Sequence, residues 1–519
     1  MQVEAFFKKN AVFTDTAEAN AKAKLTFLEG ERLCAETNAA LDTRFVGHGF
    51  CPDSDTLVKR MRDYILSVLG PYRIFLDELP RLVRVTSGAT ASSPRRKSQP
   101  FTKVRKRYCA PPSAAPYLNA LSQYFGYGAI KVRPTVWNRV EVVPKNWKTG
   151  RTIACEPEGV IPLQLAFDAY AKARLRKRGI DLSDQGRNQQ LAKEGSISGE
   201  LATIDLSMAS DTLSYNAVAL LIPSDWFKYL SSVRSPCYLL DGEVHPYTKF
   251  SSMGNGVTFA LETLIFAAAA YAVGSKRYSV YGDDIIVESE LFEPLSALLC
   301  ELGFTVNQEK SFYTGPFRES CGGNFFKGID VTPFYIRKWG SQLSLVAHNI
   351  NGLASIATPG GSLWNYLLSM AKPLVKERRI PLVPFNGDSM SGIWIPSNTA
   401  YGLNLIHSRH RKSQWIPRYK AFVTRSKETA VFDYRTLFLW HHGKFVRERS
   451  ESAASVLYDW HLEKLKGNSI DASRALGHLV ESSRVPVVGH KYARGWVRWN
   501  PPTVATPPHL YWWGDELTA

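Results

Sequence analysis

The segment Tyr278-Ser279-Val280-Tyr281-Gly282-Asp283-Asp284-Ile285-Ile286-Val287 constrains the fold more than any other. Two β-rich runs meet at Gly282-Asp283, a pair suited to a two-residue hairpin turn with glycine at its first central position. That geometry puts Asp283 at the tip and opens the return strand with Asp284. Adjacent carboxylates between apolar strands repel one another and are poorly solvated, so they require a cation. Magnesium suits them, because it prefers hard oxygen ligands and keeps several waters. A polar hairpin tip without chemistry is the plain alternative. Against it, Tyr-Gly-Asp-Asp arises by chance in only about a few chains of this length per thousand.

A second acidic element runs from Ala202 to Asp211. Asp205 closes a short strand, and Ser210 or Asp211 fits as the cap of the next helix. A strand-end aspartate alone is more often a turn residue than a ligand. Combined with the hairpin tip, it can cradle paired divalent ions roughly 3.5–4 Å apart. Between the two lies Ser251-Ser252-Met253-Gly254-Asn255-Gly256, leading into an apolar helix that ends near Gly274. Glycines there let backbone amides approach a phosphate or sugar. Past the hairpin, Leu295, Leu298, Leu299 and Leu302 follow helical spacing, Gly303 stops the helix and Phe304-Thr305-Val306 forms a strand. Lys310 follows, either as a solvent lysine or as a proton donor to a leaving phosphate.

The charge balance points to the partner. Sixty-four Lys and Arg against 47 Asp and Glu leave +17, so an anionic partner is expected, with nucleic acid foremost. Ser92–Tyr108 carries seven basic residues and no acid, and reads as an exposed loop that touches RNA or DNA, or else as a solvated linker. The 519 residues suggest about three domains. The first ninety look helical, with Leu57, Met61, Ile65 and Leu66 on one apolar stripe. Val140–Pro162 reads as strand, turn, strand, followed by a helix ending at Gly179. The longest apolar run, Phe259–Val273, is too short to span a membrane and contains Glu262. The opening residues lack the basic and apolar regions of a signal peptide. Seven cysteines without CxxC spacing suggest a reduced cytoplasmic protein. Nine of the 13 tryptophans follow Gly340, as expected of a separate domain with its own aromatic core. The tail from Pro501 is expected to be extended and packed by Tyr511, Trp512 and Trp513.

The order Asp205-x5-Asp211, Ser-Met-Gly-Asn-Gly256, Tyr-Gly-Asp-Asp284 and Lys310 resembles polymerase palm motifs A to D. Over residues 140–340 or so the text is more specific. Val143-Pro-Lys-Asn, Arg151, Glu156-Pro157, Gly179 to Gln185, Leu201 to Ser207, Gly315 to Gly322 and Asp330 to Arg337 are similar to the replicases of single-stranded RNA bacteriophages, the leviviruses. The resemblance implies an α+β right-hand polymerase whose antiparallel palm sheet is backed by helices. Residues 1–200 would form the N-terminal region and fingers, 201–340 the palm with a fingers insertion at about 223–250, and 341–519 the thumb and C-terminal region. It implies template-directed RNA synthesis in the cytoplasm of an infected bacterium, with template and product RNA and NTPs as partners. Two magnesium ions would serve, with manganese or calcium able to substitute for binding. Asp205, Asp283 and Asp284 would hold the metals, and Lys310 would assist catalysis. Lys145, Lys148 and Arg151 would grip the triphosphate, while Asp211 and Asn255 would sense the ribose. Glu262 stands where many viral polymerases place an asparagine. Members of the family also recruit elongation factors Tu and Ts and a ribosomal protein from the host.

Three rival readings remain at this level. A reverse transcriptase carries a similar acidic hairpin. A basic RNA-binding protein without catalysis explains the charge, but leaves Asp205, Asp283 and Asp284 without purpose. A metal-dependent nuclease needs no triphosphate grip.

Overall fold

The computed structural model describes residues 16–518, apart from 47–51, 87, 94–106, 125–129, 146–148, 337–341, 378, 386–387, 412–413, 425–426, 429–485, 488–491 and 499–508. Lys148 and most of the basic Ser92–Tyr108 segment therefore lie outside the described residues.

Three helices open the chain: α1 (Thr16–Val46), α2 (Pro52–Leu69) and α3 (Tyr72–Leu82). Along α2 the buried stripe runs through Val58, Met61, Tyr64, Ile65 and Val68, while Leu66 is exposed, one position off the expected face. Next come β1 (Arg107–Ala110), α4 (Ala115–Tyr124), β2 (Lys131–Pro134), β3 (Trp137–Pro144) and β4 (Gly150–Cys155). The expected strand–turn–strand is the antiparallel β3–β4 pair, in register at Val143 and Arg151. The helix after it is α5 (Ile161–Lys177), and Gly179 ends it with a positive φ of 81°.

The central region continues through α6 (Gly186–Ser198), β5 (Leu201–Ile204), β6 (Leu206–Ser207), α7 (Tyr215–Leu221), α8 (Ser224–Ser232), β7 (Cys237–Leu240), β8 (Glu243–Pro246) and α9 (Thr258–Ala272). It closes with β9 (Ser279–Tyr281), β10 (Asp284–Glu288), α10 (Phe292–Glu301), β11 (Thr305–Val306), β12 (Phe317–Ser320), β13 (Gly323–Phe326) and β14 (Ile329–Asp330). One sheet has the order β5-β10-β9, antiparallel throughout, and another the order β4-β3-β7-β8. The period-two alternation of strand side chains explains the layering of the first sheet. Ile285 and Val287 enter the main core with α9, whereas Ile286 faces Ala192 of α6 and Phe325. Apolar residues on both faces of β10 thus demand a helix on each side. Helix α9 is buried almost all round, including Glu262, which makes it a core helix.

The residues after 342 build a second core around Trp364, Ile393, Ile395 and Trp513. Trp364 and Trp513 meet edge to face with centroids 5.0 Å apart. The tail departs from expectation: Tyr511, Trp512 and Trp513 lie in a helix, His509–Thr518, which buries Leu510, Trp513 and Leu517 on one face. Their spacing of three and four positions is helical, and the prolines that suggested an extended chain all precede it.

Candidate active site

Strand pairing delivers the carboxylates. Antiparallel register sets Ile285 opposite Ile204 and Asp284 opposite Tyr281. Asp205, just past β5, and the Gly282-Asp283 turn therefore emerge from the same end of one sheet. Gly282 has φ 62° while Asp283 does not share a positive φ, which fits a turn with glycine first. Its N–H donates to Thr263 Oγ1 at 3.1 Å, and a Cβ there would lie 2.6 Å from the Phe259 ring. Only glycine seats the turn this close to α9.

Each aspartate has a distinct setting. Asp205 Oδ2 accepts from Asn307 Nδ2 at 2.9 Å and lies 3.5 Å from Lys310 Nζ. Its backbone is pinned by Ser311 Oγ and by the Asn307 N–H. Asp284 Oδ1 accepts from the Cys321 N–H at 3.0 Å and from Ser320 Oγ at 3.3 Å. Asn188 of α6 fixes the same strand by donating to the Asp284 carbonyl at 3.2 Å. Burial pushes the Asp284 carboxyl up to about 6, against the pull of the Cys321 N–H and with help from Asp283 and Asp205. The Asp283 side chain reaches the surface, yet its carboxyl is crowded enough for burial to raise it. Asp205 adds to that rise, while Arg151 and Lys310 oppose it.

Basic groups face these acids. Crowding by protein lowers Lys145, as do Arg151 and Lys310, while Asp283 and Asp205 resist. Lys145, Arg151 and Lys310 are thus within electrostatic reach of one another and of the aspartates. Burial pulls Lys310 down, but Asp205, Glu319 and Asp283 together hold it above the usual lysine value.

Among the described residues, no three Asp, Glu, His or Cys side chains are drawn together closely enough to hold a metal as they stand. The donor chemistry nevertheless fits a hard divalent cation. Asp205, Asp283 and Asp284 offer only oxygens, and the last two are hard to ionise without a nearby positive charge.

The sugar-sensing candidates have other engagements. Asp211 ends a short 3-10 turn, Ala209–Asp211, entered through Met208 in the left-handed region at φ 54°. That turn delays α7, so its cap is neither Ser210 nor Asp211. Ser214 accepts from the Ala217 N–H at 3.2 Å instead. Asp211 Oδ1 accepts from Lys249 Nζ at 3.0 Å. Asn255 donates Nδ2 to Glu156 Oε1 at 3.1 Å and accepts from the Val257 N–H at 3.0 Å, so its side chain braces the glycine-rich loop. Glu156 is 2% exposed and also accepts from Asn138 and Ser235. Glu262, 6% exposed, lies beneath the turn with Oε2 unpaired. Burial, then Asp283 and Asp211, raise it well above the usual carboxylate range.

Sequence reasoning missed Asn307 and Lys249 and the roles of Glu156 and Arg318. Asn307 and Ser311 flank Lys310 closely enough to have been noticed. Arg318 is fully buried and donates to the carbonyls of Leu201, Thr314, Gly315 and Phe317, which locks the strand that carries Ser320 and leads to Cys321. A buried guanidinium satisfied by carbonyls leaves no charge pattern to read.

An acidic hairpin tip and a strand-end aspartate, with lysine and arginine opposite, make an arrangement whose charges suit a divalent cation together with an anionic group. The chain belongs to the RNA replicase, beta-chain family, whose profile matches residues 2–376. It is 42% identical over 321 residues to the RNA-directed RNA polymerase subunit beta of Qbeta virus (strain MX1), covering 60% of this chain and 54% of that protein. It is 36% identical to the RNA-directed RNA polymerase beta chain of Escherichia phage MS2, covering 60% of this chain and 59% of that protein. The chain thus spans a little over half the length of these relatives. Among solved structures, the RNA-dependent RNA polymerase of a human picorbirnavirus aligns at 11% identity and TM-score 0.34, covering 45% of this chain and 55% of that one.

Proposed function

We propose that this protein is an RNA-dependent RNA polymerase that copies a single-stranded RNA phage genome. The observation that carries the reading is the group of Asp205, Asp283 and Asp284 at one end of β5 and β10, faced by Lys145, Arg151 and Lys310. The named activity of the relatives supports it. Residues 201–340 act as the palm, the preceding residues supply the fingers, and the second core belongs to the thumb and C-terminal region. The relatives are named as beta subunits or chains, which supports work alongside other subunits; by the family resemblance those subunits would be host elongation factors Tu and Ts and a ribosomal protein. No described helix is long and apolar enough to cross a membrane.

Asp205, Asp283 and Asp284 would hold two divalent ions, magnesium by preference. When bound, such ions acidify the attacking 3′-hydroxyl and neutralise the leaving pyrophosphate. The chain's own part is positioning and charge. Lys145 and Arg151 bind and orient the triphosphate, a role the sequence also assigns to Lys148. Lys310, held protonated, stands ready to give a proton to the leaving phosphate oxygen. The loop braced by Asn255 borders the sugar, and Asp211 reads its 2′-hydroxyl. Oδ2 of Asp211 takes no hydrogen bond among the described residues, and its side chain is 15% exposed. A site that accepts a hydrogen bond from that hydroxyl discriminates against the sugar lacking it.

The test is incorporation of labelled NTPs or dNTPs on an RNA template, with and without Mg²⁺. Mg²⁺-dependent use of NTPs supports the reading. Preferential use of dNTPs would indicate a reverse transcriptase, RNA breakdown a nuclease, and tight RNA binding without incorporation a non-catalytic protein.

A further inference from the structure

Lys249 has no place in the chemistry above, yet its charge is fully enclosed beside it. The side chain is 0% exposed, in the segment between β8 and the glycine-rich loop. Its ammonium lies 3.0 Å from Asp211 Oδ1, 3.3 Å from Glu31 Oε1 on α1 and 3.6 Å from the centre of the Phe27 ring. Its carbonyl accepts from the buried Arg234. The N–H and hydroxyl of Thr248 both donate to Glu31 Oε2 at 2.7 Å. A lysine with no access to water persists only where its charge is fully compensated, and removing one partner of such a pair strands the other. The arrangement therefore fixes where the Asp211 carboxylate can be.

Helix α1 reinforces it from behind. Gly30 sits against Asp211, and a Cβ there would come 2.6 Å from the Asp211 carbonyl oxygen. The Cys34 thiol points to that same oxygen at 3.7 Å. A glycine inside a long helix costs helix stability relative to alanine. Here it permits the backbone of Asp211 to press against the helix.

We propose that Lys249 is a positioning residue: it holds Oδ1 of Asp211, with α1 as the backstop, so that Oδ2 is presented to the sugar of the incoming nucleotide. This rests on the reading of Asp211 as the residue that senses the 2′-hydroxyl. It makes the N-terminal helix part of the nucleotide-selecting centre, although α1 supplies no group that touches substrate.

The experiment uses the full chain and measures kcat and KM for CTP and dCTP on one RNA template. The variants are Asp211→Asn, Lys249→Met, the double variant and Gly30→Ala. Lys249→Met is expected to lower the CTP-over-dCTP preference at least fivefold, with most of the CTP loss in KM rather than kcat. The double variant should discriminate no worse than Asp211→Asn alone, because Lys249 acts only through that carboxylate. Gly30→Ala keeps every charge and favours the helix, yet should move the preference at least twofold in the same direction. If Asp211→Asn loses discrimination while Lys249→Met retains it, Lys249 is only a structural ion pair and the proposal is overturned. If Asp211→Asn itself retains discrimination, the sugar-sensing role of Asp211 fails and the proposal fails with it. Should Lys249→Met not fold, Gly30→Ala decides alone, and an unchanged preference there also overturns the proposal.

Discussion

Glu156 and Asp283 are both crowded carboxyls in the same half of the molecule, but their surroundings differ in kind. Glu156 accepts hydrogen bonds from Asn138, Ser235 and Asn255. Among the described residues, no other side chain donates to Asp283, which keeps company with Asp205 and Asp284. Asp211 and Glu31 resemble Glu156, since they share the buried Lys249. Glu156 and, through Oδ1, Asp211 are paired and hold the frame, whereas Asp283 and Asp284 are gathered with Asp205 at one end of the sheet with too little positive charge. An arrangement of the second kind is unfavourable until a cation joins it.

The sharpest way to break this contrast is Asp283→Asn. The change relieves repulsion, so the fold should persist and RNA binding should remain close to wild type. Loss of a metal ligand removes several kcal/mol of transition-state stabilisation, so incorporation should fall at least about a thousandfold. Filter binding paired with primer extension reads both quantities. Activity above a tenth of wild type would take Asp283 out of the site.

Glu156 should behave in the opposite way. Glu156→Ala leaves Asn138, Ser235 and Asn255 without their acceptor, at about 1–3 kcal/mol for each unsatisfied buried group. The thermal midpoint should drop sharply, whereas Glu156→Gln, which keeps an acceptor oxygen, should lose less than half as much. Equal losses in the two variants would show that an acceptor oxygen in that shape is not enough and that the full carboxylate is what Glu156 provides.

How much of this was readable in the sequence depends on how far apart the partners are along the chain. The Gly282-Asp283 turn, the strand-end Asp205 and the Leu295–Leu302 stripe follow from neighbours within a few residues, and each lies where local rules put it. Ser214 was missed because a 3-10 turn separates Asp211 from α7, a backbone detail without a residue signature. Lys249 meets Asp211 across 38 positions and reaches Glu31 on the far N-terminal helix. Nothing near Lys249 marks it as buried. Its neighbours Tyr247 and Thr248 would suit an exposed loop equally well. In the C-terminal region, tryptophan content foretold an aromatic core but not which residues meet, because composition carries no register.

Acidity offers a third and finer test. The Asp284 carboxyl is raised from 3.8 to about 6 in the folded chain. A raised carboxyl stabilises the fold below its unfolded value, and that contribution is lost as pH rises through about 6. About two pH units correspond to up to about 3 kcal/mol. In EDTA, wild type should therefore lose stability relative to Asp284→Asn as pH rises from 4 to 8. Urea denaturation of the two proteins at each pH measures the gap. A constant gap would mean that Asp284 ionises as freely in the folded chain as in the unfolded one.

The smallest expected effect on stability, and the most informative about mechanism, belongs to Lys310. Its side chain is 56% exposed and its ammonium lies 3.5 Å from Asp205 Oδ2. A pair that open to water contributes at most about 1 kcal/mol, so Lys310→Gln should leave the denaturation midpoint almost unmoved. Rate is another matter. If Lys310 protonates the leaving phosphate oxygen, its loss should slow incorporation about a hundredfold. Lys310→Arg separates that role from simple charge, because a guanidinium remains positive but does not release its proton. The expected result is that arginine restores nucleotide affinity, seen in KM, while kcat stays at least about tenfold low. Full recovery of kcat by arginine would make Lys310 an electrostatic partner of Asp205 and of the triphosphate. The contrast between paired and unpaired acids would survive that result, but Asp205 would then be an acid whose charge the chain itself compensates, standing between the two groups.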